Sequence, residues 1–373
     1  MLWELGWQQR DEAIAERSGD HACNDQIDGD TSPPLSRMTA WLERKLRYLT
    51  AVVVVGTLSG VAIGMGRGGT ASSLISGATY GFLLGGLIGA VELFVLEDWH
   101  WLDRLPLVAN LSMRSAIYAA IIIGIQLLQV GERVAGVQLQ ASFDDFWSSF
   151  AYSAGIAVLV NLGFSIANLI GPRAFMNFIT GRYHTPVEEN RFVLFVDIAG
   201  STGLAERLGG VGIHRFLDRT FRLLTQSVVD YRGEVLNYVG DEIIVTWPEA
   251  DGGVDCRPLR CFVGMRSALQ KAALQFEREF GAVPQIRGSL HFGPVIVGEI
   301  GNVKRAIVFN GDVMNTAARL EELSRKVDGG FLASRAAMAR FTAPPPFPLY
   351  DLGTLPIRGR VDGIEVVGIG AAA

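Results

Sequence analysis

Before residue 172 the apolar positions come in four long runs, and after residue 190 they come in short ones. The long runs cover about 48–65, 72–96, 115–130 and 147–170 and carry almost no charge. Roughly 17–25 residues are needed to cross the hydrocarbon of a bilayer, so these runs read as four transmembrane helices, the first and third near the lower limit. Buried core helices are the alternative. The second run contains GFLLGGLIGAVELF, in which Gly81, Gly85 and Gly89 fall at four-residue steps. Such a stripe suits close helix packing, or reflects the ordinary glycine enrichment of membrane helices. Glu92, near the end of that run, is expected to snorkel to the interface, with Trp99, His100 and Trp101 as an interfacial belt.

Basic residues set an orientation. Arg44, Lys45 and Arg47 precede the first run, Arg104 and Arg114 separate the second from the third, and Arg173 and Arg182 follow the fourth. The other two loops carry only Arg67 and Arg133. The positive-inside rule then puts both termini, and everything after the fourth helix, on the cytoplasmic side of the inner membrane. The expected organisation is a cytoplasmic, partly disordered tail at 1–46, a membrane domain at 47–172, a coupling linker at 173–189 and a soluble domain at 190–373. The polar, acidic opening includes DGDTSPP and has no signal-peptide pattern; Met38 offers a second start.

Composition narrows the picture further. The chain is 373 residues long and 49% hydrophobic, which is high for a soluble enzyme and fits a membrane half. A formal charge of -5, with no Lys/Arg-dense run, argues against a nucleic-acid partner. Cys23, Cys256 and Cys261 have neither metal-ligand spacing nor a disulfide framework, and read as reduced thiols.

In the soluble half RFVLFVDI is a buried strand ending on Asp197, and AGSTGLAERL follows as a small-residue loop with Ser201 or Thr202 as helix cap. A helix is expected over 212–231, a hairpin at GEVLNYVGDEIIVTW, a helix over 257–280, strands at 286–292, 295–299 and 306–309, and a helix over 312–326. Helices on an antiparallel sheet make an α+β sandwich. Asp241, beside Glu242, sits in the hairpin turn. If the strands are neighbours, Asp197 and Asp241 project from one edge and supply hard oxygen ligands for Mg2+ or Mn2+, leaving room for phosphates. Gly200, Ser201 and Thr202 would offer backbone N–H groups and a helix N-terminus to those phosphates. Taken singly, each Asp is equally a cap or turn residue. In NGDVMNTAARLEE, Asp312 is a natural cap, and Asn315 and Arg319 share a helical face suited to a ribose and a phosphoryl group, or form a plain polar stripe.

FVDIAGST, NYVGDEIIVTW, HFGPVIVGEIG and NGDVMNTAARLE, in this order and spacing, resemble the catalytic domain of class III nucleotidyl cyclases over roughly residues 191–368. The resemblance implies a ferredoxin-like sandwich that makes cyclic AMP from ATP. Two divalent cations, Mg2+ or Mn2+, would be held by Asp197, Asp241 and the Ile198 carbonyl. Asn315 would orient the ribose, Arg319 would stabilise the α-phosphate, and Arg358 would contact the terminal phosphates or be a surface residue. In this family each site is shared between two domains, which implies a homodimer through the catalytic domains and the membrane helices, anchored in the lipid bilayer.

Two positions depart from the adenylate-specific pattern. Asn237 stands where a lysine reads the base, and Val308 where an aspartate does. Guanylate or relaxed specificity therefore stays open. A diguanylate cyclase is a further rival, because VGDEI resembles GGDEF, but that family lacks the Asn-x-x-x-Arg helix. A catalytically weak membrane sensor or scaffold is the alternative of another class.

Overall fold

The computed structural model describes residues 34–66, 68–96, 99, 102, 105–135, 143–303, 305–357 and 362–369. The expectations for the first 33 residues, for His100 and Trp101, and for Arg358 lie outside the described residues. The chain divides into two compact units, Ser32–Thr180 and one containing Gly181–Ala373.

The first unit is helical: α1 (Pro34–Gly66), α2 (Ala71–Val91), α3 (Leu107–Ala135), α4 (Phe143–Ile170) and the short α5 (Pro172–Thr180). The segments Tyr48–Gly66, Ala71–Leu96, Leu107–Leu127 and Phe150–Ala167 are long and apolar enough to cross a membrane. The third begins earlier than its apolar run suggested, because Arg114 lies within α3 and pairs with Glu92. Glu92 corrects the snorkelling expectation. Its side chain is 13% exposed, held by the Arg114 guanidinium and the Tyr118 hydroxyl. Asn110 Oδ1 accepts from Arg114 Nε at 2.7 Å. A π-helical turn, Glu92–Leu96, continues α2 at this point.

The glycine stripe is used inside the chain. Gly56, Gly60 and Gly64 of α1 lie against α2, where Gly77, Gly81 and Gly85 face them, and Gly89 meets Leu49 and Val52. A Cβ on Gly56 would stand 2.5 Å from the Gly81 carbonyl oxygen, so only hydrogen fits. Small residues let two backbones approach where lipid gives no hydrophobic drive between helices.

The second unit is an eight-stranded mixed sheet with helices on both faces. In chain order its elements are β1 (Val187–Ile198), α6 (Ser201–Asp230), β2 (Glu234–Val239), β3 (Glu242–Pro248), α7 (Arg257–Lys271), α8 (Ala273–Phe280), β4 (Ile286–Ile300), β5 (Ala306–Asn310), α9 (Asp312–Ser324), β6 (Phe331–Ser334), β7 (Leu349–Leu355) and β8 (Ile364–Ile369). The strand order is β2-β3-β1-β4-β6-β8-β7, with β5 on the outer part of β4. Every pairing is antiparallel except β4 with β6.

Strand β1 explains its own sequence. Phe192, Leu194, Val196 and Ile198 enter the core under α6, α7 and α8, while Val193 and Phe195 pack with Val313 and Ala317 of α9. A strand covered on both faces reads as an unbroken apolar run. The alternation also puts Asp197 on the α9 face. The helix expected over 212–231 extends back to Ser201 across a bend at Gly209, whose φ of 70° a glycine tolerates. The stretch 257–280 divides at Ala272. The two strands expected at 286–299 are one, because Pro294 falls between the β6 and β5 pairings of β4.

Substituting Gly60 or Gly81 by Val should force α1 and α2 apart and cost about 3 kcal/mol. The thermal midpoint of the full-length chain in detergent should fall accordingly. Gly124→Val, whose Cβ meets open space, should leave it unchanged.

Candidate active site

Strand register assembles the site. Asp197, the penultimate residue of β1, lies opposite Glu242 of β3 on one side and Arg287 of β4 on the other. Asp241 occupies the β2–β3 turn behind Gly240, whose φ is 63°. Its carbonyl accepts from Ile198 N at 3.3 Å, which ties the turn to the end of β1. The Asp241 carboxylate takes the Ser201 hydroxyl, and its charge acts on the Asp197 carboxyl. Two of the expected ligands thus converge, with Ile198 between them in the chain.

The phosphate loop follows directly. Gly200 is the N-cap of α6 in a left-handed conformation, φ 73°, and makes no side-chain cap bond. Ser201 is therefore not the cap: it opens α6 and spends its hydroxyl on Asp241. Thr202 is exposed beside it. Asp312 likewise opens α9 behind the cap residue Gly311.

The electrostatics of the strand end are strained. Asp197 is 5% exposed, and burial, then Asp241 and Glu321, push its carboxyl up to about 6; Arg325 opposes this. Glu242 is pushed up to about 7 by burial, then by Glu321, Asp197 and Asp241. Asp197 Oδ2 lies 3.1 Å from Arg287 Nη2 and 3.5 Å from Arg325 Nη2. The motifs alone assigned no role to Glu242 and did not point to Arg287, Glu321 or Arg325. Glu321 had one signal, its place four residues after Ala317 on the inward face of α9.

The other half of the expected chemistry lies elsewhere. On α9, Val313, Ala317, Leu320, Glu321 and Ser324 are buried, which turns Asn315 and Arg319 to the opposite side. Asn315 is exposed and Arg319 half-buried. Within one chain they face away from the Asp197 end of the sheet. Asn237 is exposed on β2, its Oδ1 accepting from Tyr238 N at 2.9 Å; Val308 is half-buried on β5. Arg191, 3% exposed, draws their neighbours together: Nη1 pairs with Glu234 at 2.9 Å and the guanidinium lies 5.1 Å from the Phe309 ring centre.

Residues 184–360 match the family model for the adenylate and guanylate cyclase catalytic domain. Adenylate cyclase 2 of Rhizobium meliloti (strain 1021) is 32% identical over 243 residues, 64% of this chain and 67% of that enzyme. Adenylate cyclase of Anabaena cylindrica is 25% identical over 210 residues, 55% of this chain and 41% of that protein. A solved bacterial light-regulated adenylyl cyclase superposes with a TM-score of 0.50 at 20% identity, covering 58% of this chain and 63% of that one. The chain belongs to the class III nucleotidyl cyclases.

Enzymes of this class use divalent metal ions. The residues here fit such a group. Among the described residues no cluster of three or more His, Cys, Asp or Glu is placed to hold an ion by itself. Mg2+, however, commonly takes one or two carboxylates and completes its shell with water and phosphate. Asp197 and Asp241, brought to one end of the sheet by β1 and the β2–β3 turn, supply two such carboxylates.

Linkage gives a test. With folded-state values of about 6 and 7 against ordinary values of 3.8 and 4.5, these groups bind more protons folded than unfolded. Their contribution makes the metal-free chain lose stability as pH rises from about 4 to about 7. A cation displaces those protons, so the rise in melting temperature on adding Mn2+ should be larger at pH 8 than at pH 5. A shift that is equal or larger at pH 5 would contradict the assignment.

Proposed function

We propose that the chain is a membrane-anchored adenylate cyclase that converts ATP to 3′,5′-cyclic AMP and pyrophosphate as a homodimer, with two Mg2+ or Mn2+ ions per site. The division of chemistry along α9 carries this reading. Asp197 and Asp241 stand on its inward side and Asn315 and Arg319 on its outward side, so one chain holds two half-sites. A second copy, related by two-fold symmetry, would bring an outward face over each carboxylate pair. Exposed apolar side chains at two hairpins, Tyr238 and Val239 on β2 and Ile300 and Val303 on the β4–β5 connection, favour such a partner.

In each completed site Asp197, Asp241 and the Ile198 carbonyl hold the cations. When bound, these acidify the ribose 3′-hydroxyl and neutralise the leaving pyrophosphate. Ser201 fixes the Asp241 carboxylate through its hydroxyl. Gly200, Thr202 and the α6 N-terminus meet the phosphates, and Arg287 balances charge beside Asp197. Asn315 orients the ribose, and Arg319 forks onto the α-phosphate as charge builds there. The 3′-oxygen bonds to the α-phosphorus, the bond to pyrophosphate breaks, and the hydroxyl proton leaves to solvent. Positioning and electrostatics do most of the work. Arg358 is assigned to the terminal phosphates from its motif alone.

The relatives named as adenylate cyclases support ATP. So does Asn237: with its oxygen engaged by Tyr238 N, the amide nitrogen is left to donate, which suits the adenine N1 acceptor better than a guanine N1–H. Val308 offers no hydrogen bond, which favours relaxed selectivity as the second reading. The four apolar helices are placed in the inner membrane with the catalytic unit in the cytoplasm, supported by the basic residues flanking the first and fourth.

Asp197→Ala and Asn315→Ala should each be inactive. Co-expressed, they should recover about a quarter of wild-type activity, since random pairing gives half heterodimers with one intact site each. A mixture that stays inactive while both proteins fold and dimerise would refute the shared site. Product analysis with ATP and GTP should give a preference for ATP of about 10–100-fold, below that of a site that hydrogen-bonds the base fully.

A further inference from the structure

Glu321 is a buried carboxylate near the strand end with one unsatisfied oxygen. Its side chain is 4% exposed on the inward face of α9, and its Oε1 has no hydrogen-bond partner. Its other oxygen, Oε2, lies 3.4 Å from Arg325 Nη2. The same nitrogen is 3.5 Å from Asp197 Oδ2, so one guanidinium edge spans both carboxylates. Glu242, opposite Asp197 in the sheet, also feels Glu321 as its strongest charged neighbour. A buried carboxylate oxygen with no donor is costly unless something else satisfies it. No described protein donor does so, and Glu321 lies on the inward face of α9, linked to Asp197 through the shared Arg325.

We propose that Glu321 is a positioning residue of the cation site, its Oε1 accepting a hydrogen bond from a water of the hydration shell of the ion held by Asp197. The inference rests on the reading of Asp197 and Asp241 as cation ligands. Mg2+ and Mn2+ keep several waters, and carboxylates outside the ligand shell orient such waters and tune affinity. Arg325 is then the competitor: it neutralises Asp197 and Glu321 in the ion-free protein and withdraws toward Glu321 and solvent when the ion enters. Its own side chain, 51% exposed, has room to do so.

The test measures Mn2+ affinity of the full-length chain in detergent with 3′-deoxy-ATP, which lacks the attacking hydroxyl, by the electron-spin-resonance signal of free Mn2+. Glu321→Gln keeps the shape and removes the charge, and should weaken Mn2+ about tenfold. Arg325→Ala removes the competing cation and should tighten it. If Glu321 acted only through Arg325, Glu321→Gln would change nothing in the Arg325→Ala background. That result, or an unchanged affinity in Glu321→Gln, overturns the proposal. Asp197→Asn separates the two levels. Loss of Mn2+ binding there, with no effect of Glu321→Gln, removes only the role of Glu321. Full affinity in Asp197→Asn removes the cation site and, with it, this inference.

Discussion

At the end of β1 a carboxylate is held largely out of water, beside other carboxylates and two arginines that offset only part of their charge. Asp197 is fixed there by two ladders at once, β3 on one side and β4 on the other, and the unbroken apolar run that precedes it anchors both faces of the strand. It cannot move away without dismantling the centre of the sheet. Asp241 is fixed almost as firmly, through its own carbonyl and the Ser201 hydroxyl. The fold therefore spends stability to keep negative charges together, and a cation is what would return it. The rest of the unit is arranged around that constraint: Ser201 of α6 bonds to Asp241, α9 brings Glu321, and Arg287 and Arg325 offset part of the negative charge.

The helical unit answers a different physical problem. Helices this apolar are held to one another by close approach and by polar pairs, and both are present. Glycines on α1 and α2 bring two backbones together, and Glu92, Arg114, Tyr118 and Asn110 link α2 to α3 below the surface. An ion pair inside such a bundle is costly to separate, which makes it a strong local clamp.

Much of this was legible in the order of the residues, and the legible parts share a cause. The four apolar helices could be read because their length and nearly uncharged composition are local properties of the chain. β1 could be read because covering both faces removes the polar alternation. Asp197 and Asp241 stood out because each ends a rigid element. What could not be read depends on partners distant in the chain. Arg287 matters only because β4 lies beside β1, and Arg325 only because α9 ends above Asp197. Glu92 looked like a terminal residue because its partner, Arg114, looked like a flanking charge; pairing moved both inside. Pro294 looked like a strand end, yet β4 runs through it at a stretch between two neighbours. Ser201 looked like a helix cap because the backbone alone cannot announce that a carboxylate 40 residues later claims its hydroxyl.

The central claim is that two carboxylates of one copy and the outward face of α9 from another share a nucleotide and its cations. The most direct measurement is a structure of the full-length chain with Mn2+ and 3′-deoxy-ATP, the metal located by its anomalous scattering. The account predicts manganese on Asp197 and Asp241 of one protomer, with the ribose against Asn315 of its partner. Manganese away from both aspartates, or a nucleotide bound wholly within one protomer, would contradict it.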